Sequence, residues 1–260
     1  MTVRLPSRFR LIREIGSGRS ATVWLARDTR TGSDVAVKVM DLSPSMPPGA
    51  LGEETWEQIV GRRFEAELRS LGRLRDIAGI CQVLQAGLDQ RSIPWLVTEF
   101  LPGGSLTDRI EGPTSDCSEL GATDCCSLFV ALGEAHEAGV FHGDISPNNI
   151  IFDSSGSPVI VDFGMSDLIG FEETVASVGL TPAFAAPERI RGARPSGPSD
   201  VYALASTLLE VLPNGETRLT GLLERARVAD PTKRPTAAKL ARDLRRLAKP
   251  GSGTRRAPKA

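Results

Sequence analysis

The sequence predicts an α+β fold in two lobes, a small β-rich lobe carrying one helix and a larger lobe that is mainly helical. Three observations carry this expectation. Short β-branched or alternating runs broken by glycine turns fill most of the chain up to Phe100. Apolar residues at helical spacing dominate most of the chain beyond Phe100. Pro102–Gly104 is a Pro-Gly-Gly turn that separates the two regimes. A chain of 260 residues is long enough to bury a sizeable core across such an arrangement.

Taken in order, strands are expected at Arg10–Glu14, Thr22–Arg27 and Asp34–Val39, with turn signals at Gly16–Gly18 and Thr31–Gly32. Ser43–Gly49 is a proline-rich loop. Ile59, Phe64, Leu68, Leu71 and Leu74 recur near helical spacing, which predicts one helix from about Glu54 to Leu74. Two further strands are expected around Cys81–Ala86 and Trp95–Phe100. Helices are expected at Leu106–Ile110, Thr123–Glu137, Asp200–Leu212, Leu219–Ala229 and Ala237–Leu247. A strand-like insert, Asn149–Phe152 and Pro158–Asp162, interrupts them. The expected division is residues 1–101 for the small lobe and 102–248 for the large one, with a disordered Gly/Pro/basic tail over 249–260.

Composition narrows the function classes. A net charge of −1 gives no electrostatic reason to expect nucleic acid or an anionic membrane as partner. No apolar run approaches the roughly 20 residues that span a bilayer, and the N-terminus carries no apolar signal-peptide segment. A cytoplasmic protein without membrane insertion is the expectation. Cys81, Cys117, Cys125 and Cys126 form no C-x-x-C pair, and His136 and His142 are too few for a Cys/His zinc site. Free thiols in a reducing compartment are expected. Nothing in the sequence indicates an oligomeric state.

Arginine supplies nearly all the positive charge, yet Lys38 is a lysine, the only one before Lys233. A position that keeps a compact point charge in an arginine-rich chain suggests a specific task for it.

The chemistry-bearing residues begin with Gly16-Ser17-Gly18. Two glycines let main-chain N–H groups approach phosphate oxygens, although short G-x-G turns also occur in many hairpins. Thr22–Ala26 after the loop is β-like, so the loop joins two strands and would lie over its ligand, unlike a dinucleotide-binding turn that opens a helix. Val35-Ala36-Val37-Lys38 places the lysine at the end of the next strand. Glu67, on the predicted helix, is the carboxylate that could hold it. The densest segment is His142-Gly-Asp144-Ile-Ser146-Pro-Asn-Asn149, followed by Asp162-Phe163-Gly164 and Ala186-Pro187-Glu188.

These motifs, in this order, resemble those of the eukaryotic-type protein kinase superfamily, and in particular its bacterial Ser/Thr members, from about Phe9 to Leu247. The resemblance implies a two-lobed kinase fold reduced to little more than the catalytic domain, acting with ATP and Mg²⁺ on a protein substrate. It assigns Lys38 to the α/β-phosphates and to a pair with Glu67. Asp144 would orient the acceptor hydroxyl and take its proton, and Asn149 and Asp162 would bind Mg²⁺. Gly16, Ser17 and Gly18 would cover the phosphates. Val23, Ala36 and Ile151 would sandwich the adenine, with main-chain groups of Glu99 and Leu101 on the purine edge. Thr98 takes the gatekeeper position, and its small size implies an accessible back pocket. Leu71, Val83, His142 and Phe163 resemble the stack that joins the lobes, with Asp200 anchoring its base. Glu188 is expected to pair with Arg234, and His136 to serve packing.

Three departures from the family pattern stand out. Gly143 replaces the arginine that reads an activation-segment phosphate, so activity is expected to depend little on phosphorylation of Thr174 or Ser177. Ser146 stands where Ser/Thr kinases place a lysine that stabilises charge on the transferred group, a contact that Thr181 would normally share. Losing such a donor costs about 2.7–4 kcal/mol, which implies slow turnover. Only about ten residues, Pro213–Leu222, are expected between two C-terminal helices, so the αG docking region is reduced or absent. Two other readings stay open at this point. One is a pseudokinase that binds nucleotide without turnover, which Ser146 supports. The other is a phosphotransferase for a small molecule or a dedicated peptide, because the H-G-D…N spelling resembles aminoglycoside- and choline-type kinases. HGDISPNN further resembles the kinase domains of lanthipeptide synthetases. A complete Lys38, Glu67, Asp144, Asn149 and Asp162 set opposes the first, and the A-P-E segment opposes the second.

Overall fold

Five antiparallel strands build the first lobe: β1 (Phe9–Ser17), β2 (Ala21–Asp28), β3 (Asp34–Met40), β4 (Val83–Leu88) and β5 (Pro94–Glu99). The computed structural model describes residues 5–18, 21–40, 64–65, 68–112, 120–163, 181–212 and 217–248. The sheet runs in the order β1-β2-β3-β5-β4. Its register decides which side chains meet the cleft. Lys38 pairs with Val23 and Leu96, and Ala36 with Leu25 and Thr98. Cross-strand partners share a face and successive residues alternate. Val23, Ala36, Lys38 and Thr98 therefore face one way, while Ala26, Val35, Val37 and Val97 pack with Phe9 and Trp95 on the other.

The turns explain the strand ends. Between β2 and β3, Asp28 N–H donates to Ser33 O, and Gly32 adopts a φ of +73°, which glycine takes without a Cβ penalty. The Asp28 carboxylate accepts from Arg30 N–H and is gripped by Arg8. Between β4 and β5, Asp89 Oδ1 accepts from Arg91 and Ile93 N–H, an Asx turn.

In the second lobe α1 (Leu106–Glu111) starts at a Ser105–Asp108 capping box, and α2 (Ala122–Glu137) is the longest helix among the described residues. The hairpin β6 (Ile150–Phe152) and β7 (Pro158–Ile160) follows. After it come α3 (Pro187–Ile190), α4 (Gly197–Val211), α5 (Arg218–Glu224) and α6 (Ala237–Ala248). Leu128, Phe129 and Leu132 of α2, Leu204 and Leu208 of α4, and Leu240 and Leu244 of α6 share one core with Ile145, Ile150, Ile160 and Phe163. Gly133 lets α2 and α6 approach closely, since a Cβ there would lie 3.3 Å from Ala238 N.

Several expected boundaries shift; β1, for one, runs from Phe9 to Ser17, through the expected Gly16 turn. The strand placed at Cys81–Ala86 begins at Val83, because Cys81 N–H instead donates to Ile160 O in the other lobe. The helix placed at Asp200–Leu212 begins at Gly197, where Ser196 caps it. The helix placed at Leu219–Ala229 runs only from Arg218 to Glu224, because the carbonyls of Val228 and Ala229 turn away to accept from Arg234. Six positions, 212–217, separate α4 from α5, and 213–216 of them lie outside the described residues. Of the helix expected over Glu54–Leu74, residues 64–65 and 68–72 are helical and the rest lies outside the described residues or in the turn that ends it.

Candidate active site

A cavity of about 310 Å³ lies between the β-sheet and the β6–β7 hairpin. Val23 and Ala36 line its roof, Ile151 its floor, Thr98, Glu99 and Leu101 its back edge, and Lys38 and Asp162 its inner end. Eight of the residues proposed from sequence thus border one space. Ile15, which sequence reasoning passed over, joins them. Gly16, Ser17 and Gly18 do not line it. Gly18 N–H closes the loop onto Ala21 O at 2.9 Å, and a Cβ at Gly16 would meet nothing within 4 Å. Crowding inside the protein therefore does not demand glycine at Gly16, and space remains there for a ligand to approach the main chain.

The cavity continues past Thr98 to Leu68, Leu71 and Gly72, with Val83 and Cys81 on its wall. Thr98 itself borders this continuation. Cys81 was not singled out as a site residue, although it sits two positions before Val83. Burial pushes its thiol up to about 12, so it is held as the unreactive thiol. Among the described residues Cys81, Cys125 and Cys126 are all free thiols.

The loop from His142 to Asn149 is held from below by one carboxylate. Asp200, 1% exposed, accepts from His142 N–H and Gly143 N–H, both at 2.8 Å. His136 Nε2 lies 3.1 Å from the same carboxylate. His136 was expected to serve packing; it is a polar partner of the loop's anchor, and it also packs on Phe141. Gly143 has a φ of +84°, so the residue that replaces the family's arginine sits in left-handed backbone.

His142 is a structural histidine. Its Nε2 reaches Val161 O at 2.9 Å, an oxygen that can only accept, so Nε2 carries the proton. Its Nδ1 in turn accepts from Asp144 N–H at 3.2 Å, and the ring meets Phe163 edge-on at 4.9 Å.

Above this base the proposed catalytic groups converge. Asp144 Oδ1 accepts from Thr181 N–H at 2.9 Å, so Oδ2 is the oxygen left for chemistry. Asn149 Nδ2 donates to Asp144 O at 2.8 Å, which leaves Asn149 Oδ1 as its acceptor end. Val161 N–H donates to Asn149 O, bringing Asn149 beside Asp162. Asp162, with a φ of +63°, presents Oδ2 to Lys38 Nζ at 2.7 Å. Left-handed backbone at a non-glycine residue is strained by about 1–3 kcal/mol and is enriched at functional sites. Lys38 therefore meets Asp162; its expected partner Glu67 lies outside the described residues, as does Gly164. Two carboxylate oxygens and an amide oxygen are the donor set that Mg²⁺ prefers.

Ser146 is 1% exposed and precedes the short turn Pro147–Asn149. A lysine's reach into the cleft is thus replaced by a buried hydroxyl-bearing side chain. Further out, Arg234 grips Glu188 through two hydrogen bonds of 2.6 and 2.9 Å, as expected. Burial pushes the Glu188 carboxyl up, but hydrogen bonding to Arg234, a main-chain N–H and the charges of Arg234 and Arg191 together hold it below its ordinary range.

Comparison with known proteins agrees with this geometry. The protein kinase domain family model matches residues 9–225. The serine/threonine-protein kinase PknK of Mycobacterium bovis is 33% identical over 213 residues, covering 80% of this chain and 18% of that protein. The DNA damage-responsive serine/threonine-protein kinase RqkA of Deinococcus radiodurans is 33% identical over 215 residues, covering 80% and 30%. The serine/threonine-protein kinase PknL of Mycobacterium tuberculosis is 31% identical over 222 residues, covering 84% and 52%. This chain spans between 18% and 52% of the length of these relatives. With the motifs, the two-lobed fold and the family match in agreement, the chain belongs to the protein kinase domain family.

Proposed function

We propose that this chain is a protein serine/threonine kinase that uses ATP and Mg²⁺ to phosphorylate Ser or Thr hydroxyls of a protein substrate. The observation that carries the reading is that Lys38 and Asp162 pair at 2.7 Å on the cavity lining, while Asn149 bonds to Asp144 O and accepts, through its main-chain carbonyl, from Val161 N–H beside Asp162. ATP, when bound with Mg²⁺, supplies the phosphoryl group with its charge partly neutralised. Lys38 would hold the α/β-phosphates, and the oxygens of Asn149 and Asp162 would hold Mg²⁺. Val23, Ala36 and Ile151 would enclose the adenine against Glu99 and Leu101, with Thr98 behind it. Gly16, Ser17 and Gly18 would cover the phosphates, and Glu67 would steady Lys38.

Asp144 would orient the acceptor hydroxyl. As the hydroxyl oxygen bonds to the γ-phosphorus and the bond from that phosphorus to the β–γ bridging oxygen breaks, releasing ADP, the hydroxyl proton would pass to Asp144 Oδ2, because Thr181 N–H already occupies Oδ1. Ser146 supplies no cation to the transferring group, so turnover is slow but not absent. The pseudokinase and small-molecule readings are not favoured, since the chain keeps Lys38, Asp144, Asn149 and Asp162 and its relatives are named protein kinases. No helix among the described residues is long and apolar enough to cross a membrane. The free thiols among the described residues support a cytoplasmic site of action.

The test is incubation of the purified protein with Mg²⁺, γ-labelled ATP and a generic basic peptide, beside Asp144→Ala. Label on Ser or Thr with the wild type alone is expected. Stable Mg²⁺–ATP binding without label transfer would refute the kinase reading.

A further inference from the structure

Residues 76–82, which lead into β4, form a loop built around one side chain. Gln82 Oε1 accepts from Asp76 N–H at 3.1 Å, and Gln82 Nε2 donates to Ile77 O at 3.3 Å and to Ile80 O at 2.9 Å. Both amide hydrogens are committed inside the loop, so this amide is a brace and not a free ligand group, although Gln82 borders the cleft cavity. The backbone needs such holding: Asp76 has a φ of +67°, left-handed backbone that disfavours a residue with a Cβ.

The braced loop grips both sides of the cleft. Towards the small lobe, Gln82 N–H donates to the Glu99 carboxylate at 2.8 Å, and Glu99 N–H returns a bond to Gln82 O at 3.1 Å. Towards the large lobe, Cys81 N–H donates to Ile160 O and Ile160 N–H to Gly79 O, both at 2.9 Å. Gly79 sits against α2, where a Cβ would lie 3.1 Å from Ala131 Cβ. Ile160 ends β7, and the chain continues through Val161 to Asp162. One loop therefore ties Glu99, at the back edge of the cavity, to the strand that delivers Asp162 to its inner end.

We propose that Gln82 is a positioning residue for nucleotide binding: its side chain holds the loop that clasps Glu99, and so fixes the main-chain edge against which the purine lies. This rests on the kinase reading, which puts the base against Glu99 and Leu101. Without the brace the clasp has no fixed platform, and ATP binding must order that edge, which weakens it. Tripolyphosphate has no base and needs only the inner end of the cleft. The loss therefore falls on the base and not on the phosphates.

The experiment is isothermal titration calorimetry of the full chain with Mg²⁺–ATP and, separately, Mg²⁺–tripolyphosphate, for the wild type, Gln82→Met and Gln82→Glu. Methionine keeps the bulk of glutamine and removes its hydrogen bonds, whereas glutamate keeps the acceptor for Asp76 N–H and removes both donors. Each variant is expected to raise the Kd for ATP about tenfold and to leave that for tripolyphosphate within about twofold. In turnover, KM for ATP is expected to rise while kcat holds, because the base is bound alike in ground and transition states. Glu99→Ala, which removes the clasp from the other side, is expected to weaken ATP to the same extent, with Gln82→Met adding little on top of it. Thermal unfolding confirms that each variant folds. ATP affinity in the folded variants within about twofold of the wild type, or an equal loss for ATP and tripolyphosphate, overturns the inference and leaves the kinase reading standing. A folded wild type that does not bind ATP overturns the kinase reading, and the inference with it.

Discussion

Replacing Arg234 with methionine removes a cation without opening much of a hole, and the structure says what is then stranded. The Arg234 side chain is fully buried. It makes two hydrogen bonds to Glu188 and one each to the carbonyls of Pro198, Val228 and Ala229. Its guanidinium also lies over the Tyr202 ring, 4.8 Å from its centroid. In Arg234→Met the Glu188 carboxylate, 14% exposed, keeps its charge and loses its partner. Breaking a buried pair in this way costs about 3–5 kcal/mol. For a chain of this size that lowers Tm by on the order of 10 °C. The double variant Arg234→Met with Glu188→Met has no stranded charge and leaves only carbonyls unpaired. It is expected to be more stable than the single variant, within about 1–3 kcal/mol of the wild type. The assay is urea unfolding followed by far-UV circular dichroism. Fluorescence would report the wrong region, since Trp24, Trp56 and Trp95 all precede the second lobe. A single-variant cost under about 1 kcal/mol, the level of an exposed pair, would refute the reasoning. A double variant no more stable than the single one would refute it too.

Ser146→Lys is expected to raise kcat about tenfold or more with little change in KM for ATP, by restoring a cation to the transferring group. An unchanged kcat in steady-state assays would show that another cation already serves. Gly143→Ala places a Cβ in left-handed backbone and is expected to cost about 1–2 kcal/mol in unfolding experiments, with a matching fall in activity as the loop tilts off Asp200. Thr174→Ala and Ser177→Ala are each expected to leave kcat within about twofold, because Gly143 provides no phosphate receptor. Asp28 gives a pH prediction. Hydrogen bonding to Arg8 holds its carboxyl well below the usual carboxylate range against the opposing pull of burial. A carboxyl depressed in the folded state contributes stability that is present above its unfolded pKa, about 3.9, and is lost as pH falls. Asp28→Asn should therefore flatten the fall of Tm below about pH 5, and a parallel fall in both proteins would count against it.

Much of this protein could be read from its sequence because the informative features are local. Strand and helix periods follow from alternation or helical recurrence within a few residues, so β2, β3, α2 and α6 emerged close to their observed limits, whereas β1 runs on to Ser17 through the expected Gly16 turn. Lys38 and Asp162 stood out as candidates because each lies in a short local motif, and the fold brings them to 2.7 Å of one another. Most hydrogen-bond partners were not legible, since they come from distant chain. The family resemblance implied Asp200 as an anchor and Glu188 with Arg234, but not that Asp200 binds the His142 and Gly143 N–H groups or that Thr181 N–H reaches Asp144 across 37 positions. His136 looked like packing for the same reason: only the fold brings α2 and α4 together, so that its ring nitrogen meets the Asp200 carboxylate. The end of α5 belongs to this class too, because the demand of a buried guanidinium for carbonyl acceptors overrode helical periodicity at Val228 and Ala229. Side-chain type and spacing depend on the chain alone; satisfying buried charge and main-chain polar groups requires neighbours, which only tertiary structure supplies.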